Sequence, residues 1–399
     1  MRVYRWPVCA IGLCVFPLWG AGALHKVWEI RLDKRIAGME SVAGVRPPPI
    51  WALGFSPDAK RLAIGLGMYG APKDPYGHLL VIPVDQPNTA LAQFEIKKAG
   101  DTRPEPHYEI TWSPDGERLA LGWGVGEAGG QTFVVNLKKG VECSLADDVF
   151  WLDDNRFLVA GEKPVPLDEY ERLVRDLRLP KRQPVPGVTF FSLVGPGCTV
   201  ESQWKMEGKW TALASEPGHI AMRGPKGDFI LLDATGQVVH QWPIPLATLL
   251  RWTFLENGRA VCGNLVSSLS DKKLAGFNNI LACFDAGSGN MIDEEYLDCC
   301  TFGPVTSGGG SRIAVSEYHE HITPVWLENR FDLSGGATTF KRRVILDIRS
   351  RSEIASWQPR TQHAGIIGEG HARSAFALSP DGKLLAEGDS GSVRLYDVK

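Results

Sequence analysis

Two histidines and a glutamate occupy alternate positions of a predicted β-strand, at Glu317, His319 and His321. Alternate residues of a strand point to the same side of a sheet, so the three side chains are expected to share one face. Two imidazoles and a carboxylate suit zinc or a similar metal, with a further position left open for catalysis. Metal-dependent hydrolysis is therefore one chemistry that the sequence offers. The alternative is that these histidines are solvated, or satisfied within a core, and bind no metal.

The elements that must position these residues are indicated by a short sequence that occurs three times. Each copy is an apolar strand, a Ser-Pro-Asp turn that continues with Gly or Ala, and a second apolar strand. In such a turn Pro presets φ, Asp caps the backbone and Gly adopts positive φ. A supersecondary unit that recurs indicates a repeat architecture. The three copies are Phe55–Ala63, Trp112–Ala120 and Leu378–Ala386.

Alignment of the rest of the chain to this unit predicts an all-β, seven-bladed β-propeller. Each blade has four antiparallel strands, which we call a to d from the axis outward. The a–b turns are short, and a tryptophan recurs near strand a of the first five blades, as is typical of packing between blades. The predicted blades begin near Ile50, His107, Val149, Trp210, Leu249, Cys300 and Ala372.

The seventh blade is expected to take its fourth strand from the other end of the chain. The sequence stops at Lys399, directly after the predicted third strand of this blade. The strand-like segment 26–32 has no blade of its own. We therefore predict that residues 26–32 pair with residues 392–398, because this pairing closes the ring and removes an exposed sheet edge.

The last repeat resembles a WD repeat. Gly370-His371 precedes strand a, Ser379-Pro380-Asp381-Gly382 forms the a–b turn, and Tyr396-Asp397 stands where the family has Trp-Asp. On these residues the chain is similar to bacterial WD-repeat-like β-propellers; blades one and two match only at the turn and strand b. The resemblance implies a rigid disc that binds proteins or peptides. It also implies a structural hydrogen-bond network formed by His371, Asp389, Ser392 and Tyr396.

A second resemblance concerns Asp233-Ala234-Thr235-Gly236, which is followed by Trp242. This stretch is similar to the Asp-Ala-x-Thr-Gly and Trp signature of quinoprotein propellers, and 284–289 is a weaker copy. The resemblance implies a quinone-dependent dehydrogenase. Relative to the signature, however, Gly236 comes one residue early and Trp242 comes late. Ordinary c–d hairpins also use such turns, so that interpretation stands beside the enzymatic one.

Long insertions nearly all follow strand b, so they are expected on one face of the disc, here called the b–c face; the opposite side is the a–b face. The main ones are 162–186 in blade three and a long loop at 317–340 in blade six. Functional groups concentrate on loops that a rigid scaffold holds, so we expect the b–c face to be the working face. The alternative is that these loops merely tolerate insertion.

The insertion in blade three contains a predicted short helix, Leu167–Leu179, which prolines bracket on both sides. Asp168 is placed to cap this helix. Four residues form an apolar stripe along one side of it. The stripe either packs against neighbouring blades or contacts a partner over the central channel. Its members are Tyr170, Leu173, Val174 and Leu177.

Residues 1–23 are predicted to form a cleavable signal peptide. Arg2 and Arg5 precede an apolar run that is too short for a stable membrane span, and Ala21-Gly22-Ala23 is a typical cleavage site. Residues 24–399 are then a single, exported propeller domain, secreted or periplasmic, and expected to be a monomer. Cleavage leaves 41 basic and 46 acidic residues with no basic stripe, which argues against nucleic acid as a partner.

Six cysteines remain after cleavage, and an even number in an exported chain favours disulfides over free thiols. Cys262 and Cys283 are predicted on strands b and c of blade five, so a cross-strand bond between them is expected. The remaining pairings stay open. They involve Cys143, Cys198, Cys299 and Cys300.

The sequence as a whole predicts an exported module that binds a protein, a peptide or a glycan on its b–c face. No cofactor is expected, apart from a metal ion at Glu317, His319 and His321. The alternative function is an enzyme with its site at the channel mouth, either a metal-dependent hydrolase or a quinone-dependent dehydrogenase.

Overall fold

The structure, a computed structural model, consists of seven four-stranded antiparallel sheets. The first strands of successive sheets contact one another in a closed circle, which makes the sheets the blades of a propeller. The all-β, seven-bladed prediction is confirmed. The residues that the structure describes are 24–32, 50–67, 76–97, 107–124, 131–145, 148–162, 188–208, 210–224, 229–233, 235–242, 248–267, 278–297, 305–306, 310–321, 337–358, 375–389 and 391–399.

Each of the first six blades takes its four strands from consecutive stretches of the chain. Blades one to three are formed by β2 (Ile50–Phe55), β3 (Arg61–Gly67), β4 (Tyr76–Pro83) and β5 (Ala92–Lys97); by β6 (His107–Trp112), β7 (Arg118–Gly124), β8 (Gln131–Asn136) and β9 (Gly140–Leu145); and by β10 (Asp148–Trp151), β11 (Phe157–Glu162), β12 (Val188–Val194) and β13 (Val200–Glu207). A single 3₁₀ turn, Pro196–Cys198, precedes β13.

The next three blades repeat the same order. They are formed by β14 (Thr211–Glu216), β15 (His219–Arg223), β16 (Phe229–Asp233) and β17 (Val238–Trp242); by β18 (Thr248–Leu255), β19 (Ala260–Ser267), β20 (Asn278–Asp285) and β21 (Met291–Leu297); and by β22 (Val305–Thr306), β23 (Arg312–His321), β24 (Ala337–Asp347) and β25 (Ser352–Trp357). The described part of the chain contains no α-helix, and the predicted helix Leu167–Leu179 lies outside it.

Blade seven joins the two ends of the chain. It contains β26 (Phe376–Leu378), β27 (Leu384–Asp389), β28 (Ser392–Asp397) and, as its fourth strand, β1 (His25–Arg31). Strand β1 runs antiparallel to β28, from His25 opposite Asp397 to Arg31 opposite Ser392. The Leu32 N–H donates to the Gly391 carbonyl and continues the pairing by one residue. The predicted ring closure is confirmed.

The core lies between the blades, where apolar side chains of one sheet pack on the next. Two glycines let isoleucines of the following blade approach closely. A Cβ at Gly388 in blade seven would lie 2.6 Å from Cγ2 of Ile50, and one at Gly54 in blade one would lie 2.9 Å from Cγ2 of Ile110. Real Cβ atoms do not approach so closely, so the interfaces between these blades depend on glycine.

Tryptophans at the ends of the first strands also connect blades. The Trp112 indole donates to the Gly54 carbonyl of blade one at 3.0 Å, and the Trp151 indole donates to the Thr111 carbonyl of blade two at 3.3 Å. Each indole thus fills apolar space and satisfies its N–H in the same contact. The structure supports the packing role that the sequence predicted for these two residues.

Two disulfides reinforce the sheets. Cys262 and Cys283 lie directly opposite each other on β19 and β20 and form the predicted bond, with their Cα atoms 4.1 Å apart. Cys143 on β9 bonds Cys198, which ends the 3₁₀ turn before β13, with a Cα separation of 6.2 Å. The second bond therefore joins blade two to blade three. In the described residues, no helix is long and apolar enough to span a membrane.

Candidate functional site

A two-stranded extension projects from blade six on the b–c face. Strand β22 pairs only with Ile313 and Ala314 of β23, and β25 pairs only with residues 343–347 of β24. Beyond these points β23 and β24 continue together, from Glu317 opposite Arg342 to His321 opposite Ala337. We call residues 317–321 and 337–342 the blade-six arm. Among the described blades, this is the one whose strands b and c run well past strand d.

The base of the arm contains a β-bulge. Glu317 pairs with Arg342 and the next residue, Tyr318, pairs with Phe340, so Lys341 is the extra residue on β24. A bulge increases the local twist and redirects the strands beyond it, and bulges are common beside functional sites. The bulge at Lys341 is therefore expected to turn the arm relative to the blade that carries it.

Two consecutive arginines of β24 anchor this base through different ion pairs. Nη1 of Arg342 contacts both carboxylate oxygens of Glu353 on β25, at 3.2 and 2.9 Å. Arg343 points to the next blade, where its Nη1 lies 3.2 Å from Oε1 of Glu387 on β27. The first pair is about one-third exposed, whereas the Arg343 and Glu387 side chains are 4% and 3% exposed.

Aromatic rings enclose the buried pair. The Arg343 guanidinium lies 4.2 Å from the ring centroid of Phe376, and the Trp357 indole donates to Oε1 of Glu387 at 3.3 Å. A buried ion pair is costly to desolvate, and removing one partner leaves a buried charge that strongly destabilises the fold. This cluster fixes blade six against blade seven directly below the arm.

The a–b face is built from compact turns with repeated internal hydrogen bonds. In the first copy, the Ser56 hydroxyl donates to Asp58 at 2.6 Å and accepts from the Arg61 N–H at 2.9 Å. Ser113 with Asp115, and Ser379 with Asp381, repeat the arrangement. Burial opposes ionisation of Asp58, but hydrogen bonds from Ser56 and the Lys60 N–H outweigh it and lower the pKa of this carboxyl.

Arginines at the start of strand b hold the a–b turn of the following blade. Arg61 lies over the Trp112 ring at 5.4 Å and occupies the space beside Gly116. Arg118 donates to the Asp154 carbonyl and the Asn155 side chain, both at 3.1 Å. Arg312 donates to the Gly382 carbonyl at 3.0 Å. These contacts on the a–b face join neighbouring blades. They were not predicted from the sequence, although Arg61 and Arg118 recur at matching positions.

One carboxyl on the a–b face is protonated more readily than usual. Glu216 ends β14, and a Cβ at Gly258 in the next blade would lie 3.2 Å from its Cγ. Burial raises the pKa of Glu216 to about 7. Its neighbour across the strand pair is His219, and Glu256 and Arg259 lie on the blade-five turn that contains Gly258. The seam between blades four and five therefore contains a group that titrates near neutrality.

The predicted metal ligands Glu317, His319 and His321 all lie on β23 within the arm. Their side chains fall outside the described part of the structure, so metal binding there stays a prediction. In the residues whose side chains are described, no three His, Cys, Asp or Glu groups form a metal cluster. The predicted partner-binding stripe of Tyr170, Leu173, Val174 and Leu177 lies wholly outside the described residues.

The WD-type network of blade seven also stays a prediction. His371 lies outside the described residues, and only the backbone of Asp389 is described, opposite Ser392 in the β27–β28 pairing. Tyr396 pairs with Leu385 on the same two strands. The resemblance to the family therefore rests on sequence at these four positions.

The quinoprotein-like segments are c–d turns. Oδ1 of Asp233 accepts from the Thr235 hydroxyl at 2.7 Å and from the Gln237 N–H at 3.0 Å, which lowers the pKa of this carboxyl. Asp285 accepts in the same way from Ser288, at 2.6 Å from the N–H and 2.7 Å from the hydroxyl. These bonds account for both aspartates as turn caps.

Comparisons with known proteins support the fold and do not indicate a function. No family model matches the chain, and no curated protein is similar to it. Among solved structures 1017 chains are similar. One belongs to "Crystal Structure of Mitotic Checkpoint Complex", with 12% identity, a TM-score of 0.53, and coverage of 100% of this chain and 99% of that chain. At this identity the likeness shows the propeller fold alone.

Proposed function

We propose that this protein is an exported binding module that docks a protein, peptide or glycan on the b–c face of its propeller. The observation that carries the proposal is the one-sided geometry of the disc. The blade-six arm projects on the b–c face, whereas arginines from neighbouring blades hold turns on the a–b face. The second predicted contact is the stripe Tyr170, Leu173, Val174 and Leu177, which is expected on the same face because its insertion follows strand b of blade three.

Export is part of the proposal. The charged and apolar segments of residues 1–23 favour a signal peptide. The Cys143–Cys198 and Cys262–Cys283 bonds suit an oxidising compartment such as the periplasm or the extracellular space. Amino-terminal sequencing of the protein recovered from its host tests this part. The expected first residue is Leu24, and an intact Met1 would contradict export by cleavage.

Site-specific photo-crosslinking tests the choice of face and does not require that the partner be identified first. A photo-crosslinking amino acid is placed at Leu173, which is predicted to lie on the b–c face, or at His321 in the blade-six arm. For comparison it is placed at the exposed positions Lys60 or Asp154 on the a–b face. Each variant is expressed in the native host and irradiated. We expect adducts of one mass from the first two sites and none from the others. Adducts from Lys60 and Asp154 alone would contradict the proposal.

Elemental and cofactor analysis of the same purified protein separates binding from catalysis. The binding proposal predicts neither stoichiometric zinc nor a bound quinone. Stoichiometric metal that is lost in a His319→Ala, His321→Ala variant would instead support the metal-dependent hydrolase.

A further inference from the structure

We propose that the edge of β24 that faces away from β23 in the blade-six arm is a β-addition site for an extended, acidic segment of a partner protein. This inference rests on the proposed function and deepens it, because it names the recognition element and the class of ligand. An added strand would pair with residues 337–342 through backbone hydrogen bonds, and its side chains would supply specificity.

The backbone of the arm offers two edges. Within the described residues, β23 is the one strand that pairs with 337–342, and β25 stops opposite Arg343. The N–H and C=O groups of alternate residues along β24 therefore point away from β23 with no strand beside them in the described structure. Such an edge is a template for another extended chain. An added strand would match the regular spacing of its donors and acceptors.

The sequence keeps both neighbouring strands from following the arm. Pro359 comes two residues after Trp357, the last residue of β25, and has no N–H to donate to a ladder. Pro304 directly precedes Val305, the first residue of β22, and has the same limitation. Proline in both places restricts extension of strands a and d along the arm.

The two edges differ in charge, and this difference selects β24 and an acidic ligand. The stretch 337–342 contains Lys341 and Arg342, of which Arg342 is already paired with Glu353, and no acidic residue, whereas 317–321 contains Glu317 and Glu320. Thr338, Thr339 and Phe340 favour extended backbone, as an edge that accepts a strand requires. The positive charge of Lys341 would favour an acidic strand added to β24, and Glu317 and Glu320 would disfavour one added to β23.

The base of the arm makes it suitable for recognition. The ion pairs of Arg342 with Glu353 and of Arg343 with Glu387 fix the middle of β24, at the base of the arm, to blade six and to blade seven. A binding edge that a rigid scaffold positions loses less conformational entropy when a ligand binds. The bulge at Lys341 sets the direction in which this edge faces.

Amide hydrogen exchange with synthetic probes tests the inference. The probe is an eight-residue peptide of alternating Glu and Val, and the controls are its Lys-Val counterpart and a fully N-methylated Glu-Val peptide. We expect the Glu-Val peptide to slow exchange of alternate amides within 337–342 at least tenfold. The two controls are expected to leave these amides unchanged. No protection at millimolar peptide, or equal protection by the Lys-Val peptide, would overturn the inference.

A pair of adjacent proline variants gives a second test. Neighbouring N–H groups of a strand face opposite sides, so one of Thr338→Pro and Thr339→Pro removes an outward donor and the other removes a donor to β23. The outward variant should keep the arm paired and weaken peptide binding at least tenfold. Unchanged binding by both variants would contradict backbone pairing. Crosslinks from Leu173 without peptide protection would refute this inference alone, whereas crosslinks only from Lys60 and Asp154 would refute the proposed function.

Discussion

At the scale of single residues, position 59 departs from the other copies of the repeated turn. Ala59 has a φ of 57°, where Gly116 and Gly382 stand at 67° and 70°. The left-handed conformation costs a residue with a Cβ about 1 kcal/mol or more. Ala59→Gly should therefore raise the free energy of unfolding by up to about 1 kcal/mol, reduced by the larger unfolded-state entropy of Gly. Urea denaturation measures the change.

The matched control is Gly116→Ala, because it makes the opposite change in an equivalent turn. A Cβ at Gly116 would lie 2.5 Å from Nη2 of Arg61, which belongs to the preceding blade. Ala59 belongs to blade one, and the preceding blade seven has Leu384 at the position that matches Arg61. We expect Gly116→Ala to lower stability by about 1–2 kcal/mol through strain and displacement of Arg61. The interpretation is wrong if Ala59→Gly destabilises the protein as much as Gly116→Ala does.

The raised pKa of Glu216 should make the free energy of unfolding depend on pH. Its pKa is about 7 in the folded protein because of burial, against an ordinary value of 4.5. The folded protein is thus favoured by the protonated carboxyl below about pH 4.5, and this contribution to the free energy of unfolding is lost as the pH rises to about 7. Glu216→Gln removes this loss. We expect the variant to gain about 2 kcal/mol relative to the wild type between pH 4.5 and pH 8.

Urea denaturation of both proteins across that range measures this difference and cancels the titration of all other groups. Asp233→Asn is a suitable control, because hydrogen bonds from Thr235 and Gln237 outweigh the opposing effect of burial and lower the pKa of Asp233. A stability difference between Glu216→Gln and wild type that stays constant from pH 4.5 to pH 8 would contradict the assignment.

At the scale of strands, the two ion pairs at the base of the arm should differ greatly in energy. Glu387→Gln leaves Arg343 charged within a buried interface and should cost about 3 kcal/mol or more. Glu353→Gln removes a partly exposed ion pair of Arg342 and should cost at most about 1 kcal/mol. Thermal unfolding measures both variants. Similar losses of stability would show that burial does not govern this interface.

The strands were predictable from sequence where local signals were strong. The Ser-Pro-Asp turns fixed the a–b hairpins of three blades because Pro, Asp and the left-handed residue each restrict the backbone. The Arg343–Glu387 pair was not predictable, because it joins strands of different blades and no local pattern places those two residues together. The arm was only partly predicted. Alternation placed Glu317, His319 and His321 on one strand, but the extent to which β24 runs past its described neighbour depends on where β25 ends.

At the scale of the whole molecule, ring closure was predictable because it is a matter of counting strands: one blade lacked a strand and one strand lacked a blade. The inter-blade bond Cys143–Cys198 was not, since six cysteines permit many pairings and only the three-dimensional arrangement of blades selects one. The fold therefore follows from repetition, whereas the contacts between blades follow from geometry that the sequence does not display locally.

The pairing of β1 with β28 closes the ring and should stabilise the whole propeller. Strand β1 contributes Ile30 to the core between blades seven and one, and Glu29 contacts Arg394 at 3.2 Å. Deletion of residues 24–32 removes these contacts and exposes the edge of β28, so the melting temperature should fall by more than about 5 °C and the protein should associate. Added peptide 24–32 should restore both properties, and a scrambled peptide should not. Calorimetry and light scattering measure them; a truncated protein that is equally stable and monomeric would contradict closure by β1.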